Sequence, residues 1–114
     1  MRRESISSLK KKADIVFSLY IRQRDKRCFT CNSAKNLQCG HFISRSHNAT
    51  RYDPENAKAQ CVGCNVFKNG NMAEYSYRLL QKLGKERFNA LIKRGREIKQ
   101  FKIQELQEII KKYE

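Results

Sequence analysis

Apolar positions recur at helical spacing from Ser5 to about Arg24, where Ile6, Leu9, Ala13, Val16, Phe17 and Tyr20 share a face. Ser5, Ser7 and Ser8 are N-cap candidates for that helix, and Lys10, Lys11, Lys12 and Arg22 fall on its polar side. The pattern then changes. Residues 28–36, CFTCNSAKN, are rich in turn formers, and LQCGHFI over 37–43 is a short apolar run, interrupted by Gly40, that suits a strand or hairpin arm. A polar loop, SRSHNAT, leads to Arg51 and Tyr52, where a second strand or extended arm fits before the turn at Asp53-Pro54. A short helix is expected from around Cys61–Cys64 to Asn69-Gly70, so the centre reads strand, strand, helix. Helical spacing returns three times, through Met72, Tyr75, Leu79, Leu80 and Leu83 up to Gly84, through Phe88, Leu91 and Ile92 before Gly95, and through Leu106, Ile109, Ile110 and Tyr113. Such stripes are mostly core, and Tyr75 is assigned there.

Length and charge narrow this outline. The 114 residues contain no Pro/Gly/Ser-rich linker, which predicts a single domain over 1–114. Its parts are a basic N-terminal helix (1–27), a cysteine-rich centre (28–70) and a helical C-terminal part (71–114). Hydrophobic residues are 39% of the chain, enough for a modest core that an internal staple would help. Lys and Arg number 25 against 11 acids, a net charge of +14, and the bases flank the centre on both sides. That balance points to a polyanion, and to nucleic acid above all, because release of condensed counterions favours such a surface. An anionic membrane is a poorer partner, since the basic helices need their apolar faces for the core. No run of about 18 apolar residues occurs, and the first segment lacks the apolar stretch of a secretory signal, so a cytoplasmic location is expected.

Reduced thiols in that compartment turn the cysteine count into a metal argument. Cys28 and Cys31 form one C-x2-C pair, Cys61 and Cys64 a second, with 29 residues between them. Two such knuckles can surround one tetrahedral Zn²⁺, and a closed all-cysteine site is structural rather than catalytic. It joins distant segments, and its binding energy, on the order of 10 kcal/mol, becomes folding energy. Cys39 stands apart and reads as a small buried apolar residue.

Between and after the pairs come Gly40-His41, Asn56, Asn65 directly after the last cysteine, and Lys68. This arrangement resembles the HNH (ββα-metal) nuclease motif in the form H-N-N. More closely, GHFISR, RY, QC-x2-CN and G-N-x3-Y resemble the phage lambda NinG family, also called Rap, over roughly residues 28–78. The cysteine spacing and H-N-N order are also similar to those of the phage endonuclease VII family. The resemblance implies an α+β, mainly helical fold, with a zinc-stapled ββα-metal core flanked by an N-terminal helix and C-terminal helices. It also implies a metal-dependent endonuclease of branched DNA, such as Holliday junctions or D-loops, acting in phage recombination in the host cytoplasm.

On that reading His41 is the candidate general base, since a neutral imidazole can take a proton from the attacking water. Mg²⁺ or Mn²⁺ would offset charge developing on phosphate, with Asn65 as the first candidate ligand. Asn56 is expected to fix the loop and orient His41 through backbone hydrogen bonds, with ligation as its alternative. Many HNH enzymes carry an Asp ligand immediately before the catalytic His. Here it is Gly40, which leaves Asp53, Glu55 and Glu74 as further oxygen donors to consider. Arg45, Arg51 and Lys68 are candidate phosphate contacts, and His47 reads as surface. Two symmetric nicks would favour a homodimer on junction DNA, joined through the first helix or through Leu106, Ile109, Ile110 and Tyr113 of the last. The competing readings are a non-catalytic zinc-stapled DNA-binding module and a sequence-specific HNH endonuclease of linear duplex.

Overall fold

Ser5 starts the first helix: its side-chain oxygen accepts the N–H of Ser8 at 3.0 Å, and α1 runs Ile6–Asp25 to a left-handed Lys26. The computed structural model describes residues 4–114; residues 1–3 of the expected basic N-terminal segment lie outside the described residues. Leu9, Ala13, Phe17 and Ile21, at spacings of three and four, are the buried stripe of α1. A knuckle over 28–36 leads to β1 (Leu37–His41), then to α2 (Asn48–Arg51) and a 3₁₀ turn (Pro54–Asn56), before β2 (Ala57–Cys61). The strands pair antiparallel in one register, Leu37 with Cys61 through to His41 with Ala57. A single π-helical turn (Gly63–Phe67) follows, then α3 (Met72–Leu83), α4 (Lys85–Gly95) and α5 (Ile103–Tyr113).

The chain is therefore a mainly helical mixed structure around a two-stranded sheet, in the order strand, strand, helical turn through its centre. Two local expectations are corrected. Arg51 ends a short helix instead of starting a strand, and the second strand lies later, at Ala57–Cys61. The AKAQC segment carries neither β-branched nor aromatic residues, so its strand is dictated by pairing with β1 rather than by propensity. The helix after Cys64 is cut to one turn, because Asn69, Gly70 and Asn71 all adopt positive φ (50°, 88° and 49°), which reverses the chain into α3.

The core has two parts. α1 packs on α5 and on the hairpin: its buried stripe meets Tyr52, Ala57 and Leu106, with Ile109, Ile110 and Tyr113 against it. Those last three residues, expected as one dimer surface, are partly buried and pack against the chain's own core. The second cluster, Tyr75, Leu79, Leu83 and Leu91, gathers Phe29, Phe42, Ile43 and Phe88. Tyr75 is wholly buried, and its hydroxyl donates to the Gly40 carbonyl at 2.7 Å, tying α3 to the strand that carries His41. Gly40 itself has a packing reason. A Cβ there would lie 2.0 Å from Oε1 of the buried Gln60, whose Nε2 donates to Thr30 and to the Gly70 carbonyl. No helix is long and apolar enough to cross a membrane among the described residues.

Candidate active site and metal centre

Antiparallel pairing places Cys61 at the open end of the hairpin, and the 28–36 knuckle is stitched to the same end. Phe29 N–H donates to the Ala59 carbonyl at 2.8 Å, and Val62 N–H to the Asn36 carbonyl at 3.1 Å. The sulfurs of Cys28, Cys31, Cys61 and Cys64 consequently lie within 4.8 Å of one another. Tetrahedral zinc with Zn–S bonds of about 2.3 Å needs S···S separations near 3.8 Å, so the cluster could hold a zinc ion with small adjustments. The electrostatics agree. Against the cost of burial, the Thr30 hydroxyl and the backbone of Cys61, Thr30 and Cys31 hold the Cys28 thiol down to about 6. Cys31 has a backbone donor from Ser33, yet the sulfur of Cys61 and the other cysteines push it up to about 12. Binding a cation would deprotonate the sulfurs and offset the repulsion between them. Cys39 stays outside the cluster, half-buried against α1, and burial pushes its thiol up to about 12.

His41, the last residue of β1, sits across from α2. Its Nε2 is 2.8 Å from the Arg51 carbonyl, which can only accept, so Nε2 carries the proton and Nδ1 keeps its lone pair. Burial lowers its pKa below the usual 6.5, despite the raising effect of that carbonyl, and the cations Arg45 and Arg51 add to the lowering. The imidazole is neutral at pH 7.

The carbonyl that orients His41 is itself fixed. Asn56, fully buried, accepts the Ile43 N–H at 2.8 Å and donates to the carbonyls of Ile43 and Thr50 at 2.9 and 3.1 Å. One amide thus clamps the chain two residues after His41 to the helix that supplies its partner. Asn56 is a loop fastener with its polar atoms already engaged, not a group facing the groove. Arg51 is likewise internal. Its Nε and Nη2 donate to the two oxygens of Asp14 at 2.9 and 2.6 Å, and Nη1 to the Arg45 carbonyl at 2.9 Å. With every nitrogen partnered, Arg51 positions α2 against α1 and is not available as the phosphate clamp expected of it.

A groove of about 640 Å³ runs past His41, bounded by Asp14 and Ser18 of α1, Gln38 of β1, Arg45, and Asn65 of the π turn. Asn65 donates its amide to Gln38 Oε1 at 2.8 Å, and its own oxygen has no partner among the described residues. It caps no helix. Arg45 is exposed, with Nη1 3.8 Å from Asp14. Lys68 is exposed at the end of the turn and does not line the groove. The further carboxylates considered from sequence are elsewhere and taken: Asp53 and Glu55 by Arg94, Glu55 also by Arg87, Glu74 by Arg78. His47 is exposed at the N-cap position of α2, where its side chain makes no capping hydrogen bond. The carboxylate that does border the groove is Asp14, which sequence reasoning missed because, inside an amphipathic helix, one acid among lysines looks like ordinary polar surface. Apart from the four cysteines, no three His, Cys, Asp or Glu ligand atoms cluster closely enough to share an ion among the described residues.

A family model described as the bacteriophage Lambda NinG protein matches residues 2–114. The NinG proteins of Escherichia phage 933W and Escherichia phage lambda are 32% and 31% identical over 81 residues, covering 67% of this chain and 40% of each relative. That of Salmonella phage P22 is 32% identical over 79 residues, 65% of this chain and 39% of the relative. The chain thus spans about 40% of the length of these relatives. No solved structure matches it.

Proposed function

The chain belongs to the bacteriophage Lambda NinG protein family, and from that premise we propose that it is a metal-dependent DNA endonuclease of phage recombination, acting on branched DNA. The observation that carries the reading is His41: a neutral imidazole, oriented through Nε2 by the Arg51 carbonyl, lining a groove together with Asn65 and Arg45.

In the proposed reaction Nδ1 takes a proton from water, the resulting hydroxide attacks phosphorus, and the bond to the 3′-oxygen breaks. Asn56 and Arg51 keep the imidazole at its angle by fixing the loop between the strands. Arg45 pairs with a phosphate oxygen of the bound strand. Asn65 would hold Mg²⁺ or Mn²⁺ through its unpartnered oxygen; such an ion keeps several waters, so one amide plus phosphate oxygens suits it. When bound, the ion supplies neutralisation of charge developing on the phosphate and the leaving oxygen. Zinc held by the four cysteines would have no chemical part; it would fasten the knuckle to the hairpin. Two nicks across a junction imply two copies of the chain on one substrate.

The test is cleavage of a labelled four-way junction and of a linear duplex, each with Mg²⁺ or Mn²⁺. The wild type is expected to cut the junction in preference, and His41→Ala to abolish cutting with DNA binding and zinc content unchanged. No cleavage of either substrate under both metals would refute the enzyme reading in favour of a binding module, and discrete cuts in linear duplex alone would refute the branched preference.

A further inference from the structure

Lys58 is 5% exposed, the second residue of β2, paired with Gly40 and alternating with Ala57, which packs against α1. A lysine so placed normally has a carboxylate or carbonyl partner, because an isolated buried ammonium is costly. Lys58 has no ion pair and no side-chain hydrogen bond among the described residues; its ammonium lies 5.5 Å over the Phe29 ring. The nearby acids are engaged: Asp25 takes two bonds from Arg24 and one from the Ala59 N–H, and Glu55 is held by Arg87 and Arg94. Burial first, and then the neighbouring Arg24 and Lys82, lower the Lys58 pKa to about 8 despite the opposing pull of Asp25 and Glu55, so the charge persists at pH 7.

Lys58 lines two adjoining grooves, of about 320 and 410 Å³, both bordered also by Arg24, Asp25 and Lys82. Arg27 and Arg78 are the further charged residues of one, and Glu55 and Arg87 those of the other. Cations outnumber acids around a buried, unpartnered charge. Neither groove shares a lining residue with the His41 groove.

We propose that Lys58 is the floor of a second phosphate-binding site, which holds the backbone of a DNA segment other than the strand lying in the His41 groove. The ligand class is a phosphodiester or other phosphate monoanion or dianion, and the DNA part of the assignment rests on the nuclease reading above. Two separate backbone sites on one small domain give a branched substrate something that a single straight duplex cannot use fully.

The experiment compares the affinity of the full chain for a four-way junction and for a linear duplex of equal arm length. Lys58→Met keeps the apolar stem and removes the charge; Lys82→Gln, at an exposed position, serves should the first variant lose its fold by circular dichroism. The junction-to-duplex affinity ratio is expected to fall about tenfold for Lys58→Met, the scale of one charge-assisted hydrogen bond, and about threefold for Lys82→Gln. A ratio within twofold of wild type in the folded variants would overturn the proposal. In parallel, inorganic phosphate is titrated against protein labelled at the lysine side chains, and a saturable shift of the Lys58 signal is expected. Should the wild type bind no DNA at all, the nuclease reading fails, and the phosphate titration alone then decides the anion site: a saturable Lys58 shift upholds it, and an unmoved signal overturns it.

Discussion

Replacing Asn56 by aspartate preserves shape, removes the two amide protons and puts an ionisable oxygen in place of the NH2, which makes it the sharpest probe of the frame around His41. The native amide accepts one backbone N–H and donates to two carbonyls, at 2.8, 2.9 and 3.1 Å, with the residue wholly buried. An aspartate can still accept from Ile43 but sets oxygen against the carbonyls of Ile43 and Thr50. The Ile43 carbonyl loses this donor, the Thr50 carbonyl keeps the Asp53 N–H at 3.2 Å, and the aspartate must bury a charge or take up a proton, so a loss of roughly 3 kcal/mol is expected. For a chain of this length that is a large share of a total of roughly 6–17 kcal/mol, and it should lower Tm by on the order of 10 °C or more. Urea denaturation of the zinc-loaded protein measures it. The deficit against wild type should shrink on acidification, since protonating the aspartate restores one donor. Were Asn56 instead a metal ligand, aspartate would serve as well or better. An Asn56→Asp protein within about 1 kcal/mol of wild type, cutting DNA at lower Mg²⁺ concentration, would refute the fastening role.

Three further outcomes are expected. Cys64→Ser, at a buried position of the sulfur cluster, should lower bound zinc from one equivalent per chain and abolish the cooperative thermal transition, as should a strong chelator; a metal-free chain that melts at the wild-type temperature would show that zinc is not structural. Because burial holds His41 below its usual pKa and the neutral form is the base, the cleavage rate should be flat from pH 8 to about 6.5 and fall as pH drops through the lowered value. The folded state also takes that proton less readily than the unfolded chain, so the His41 contribution to stability is present above about pH 6.5 and is lost in the same direction; an acid limb centred at or above pH 7 contradicts the assignment. Finally, Arg45→Gln should reduce the salt dependence of DNA binding by about one phosphate contact, a change of roughly 0.9 in slope, at little cost in Tm. Arg51→Gln should do the reverse, costing about 1–3 kcal/mol by stranding the half-buried Asp14, and equal salt slopes for the two variants would undo the distinction drawn between them.

Much of this protein is legible along the chain. The helices follow from apolar spacing, because a stripe at three and four residues has one economical way to be buried, and Leu9, Phe17, Tyr75 and Leu106 lie where that spacing puts them. The cysteine cluster follows from two C-x2-C turns, since each brings its own pair of sulfurs together locally. What the pattern could not supply was anything that depends on pairing between distant segments. β2 is a strand only because β1 lies beside it, and Lys58 is buried only because that register pairs it with Gly40, beside Phe29 and Lys82. The family of Arg, Asn and acidic candidates around His41 looked alike in sequence; contacts with α1 and α2 divided them, taking Arg51 and Asn56 into the frame and leaving Arg45 and Asn65 at the groove. Sequence determined which residue types were available and how each helix would face. Tertiary structure decided which polar groups are satisfied inside the fold and which remain for a ligand, because a hydrogen bond or ion pair is settled by whichever partner arrives within about 3 Å.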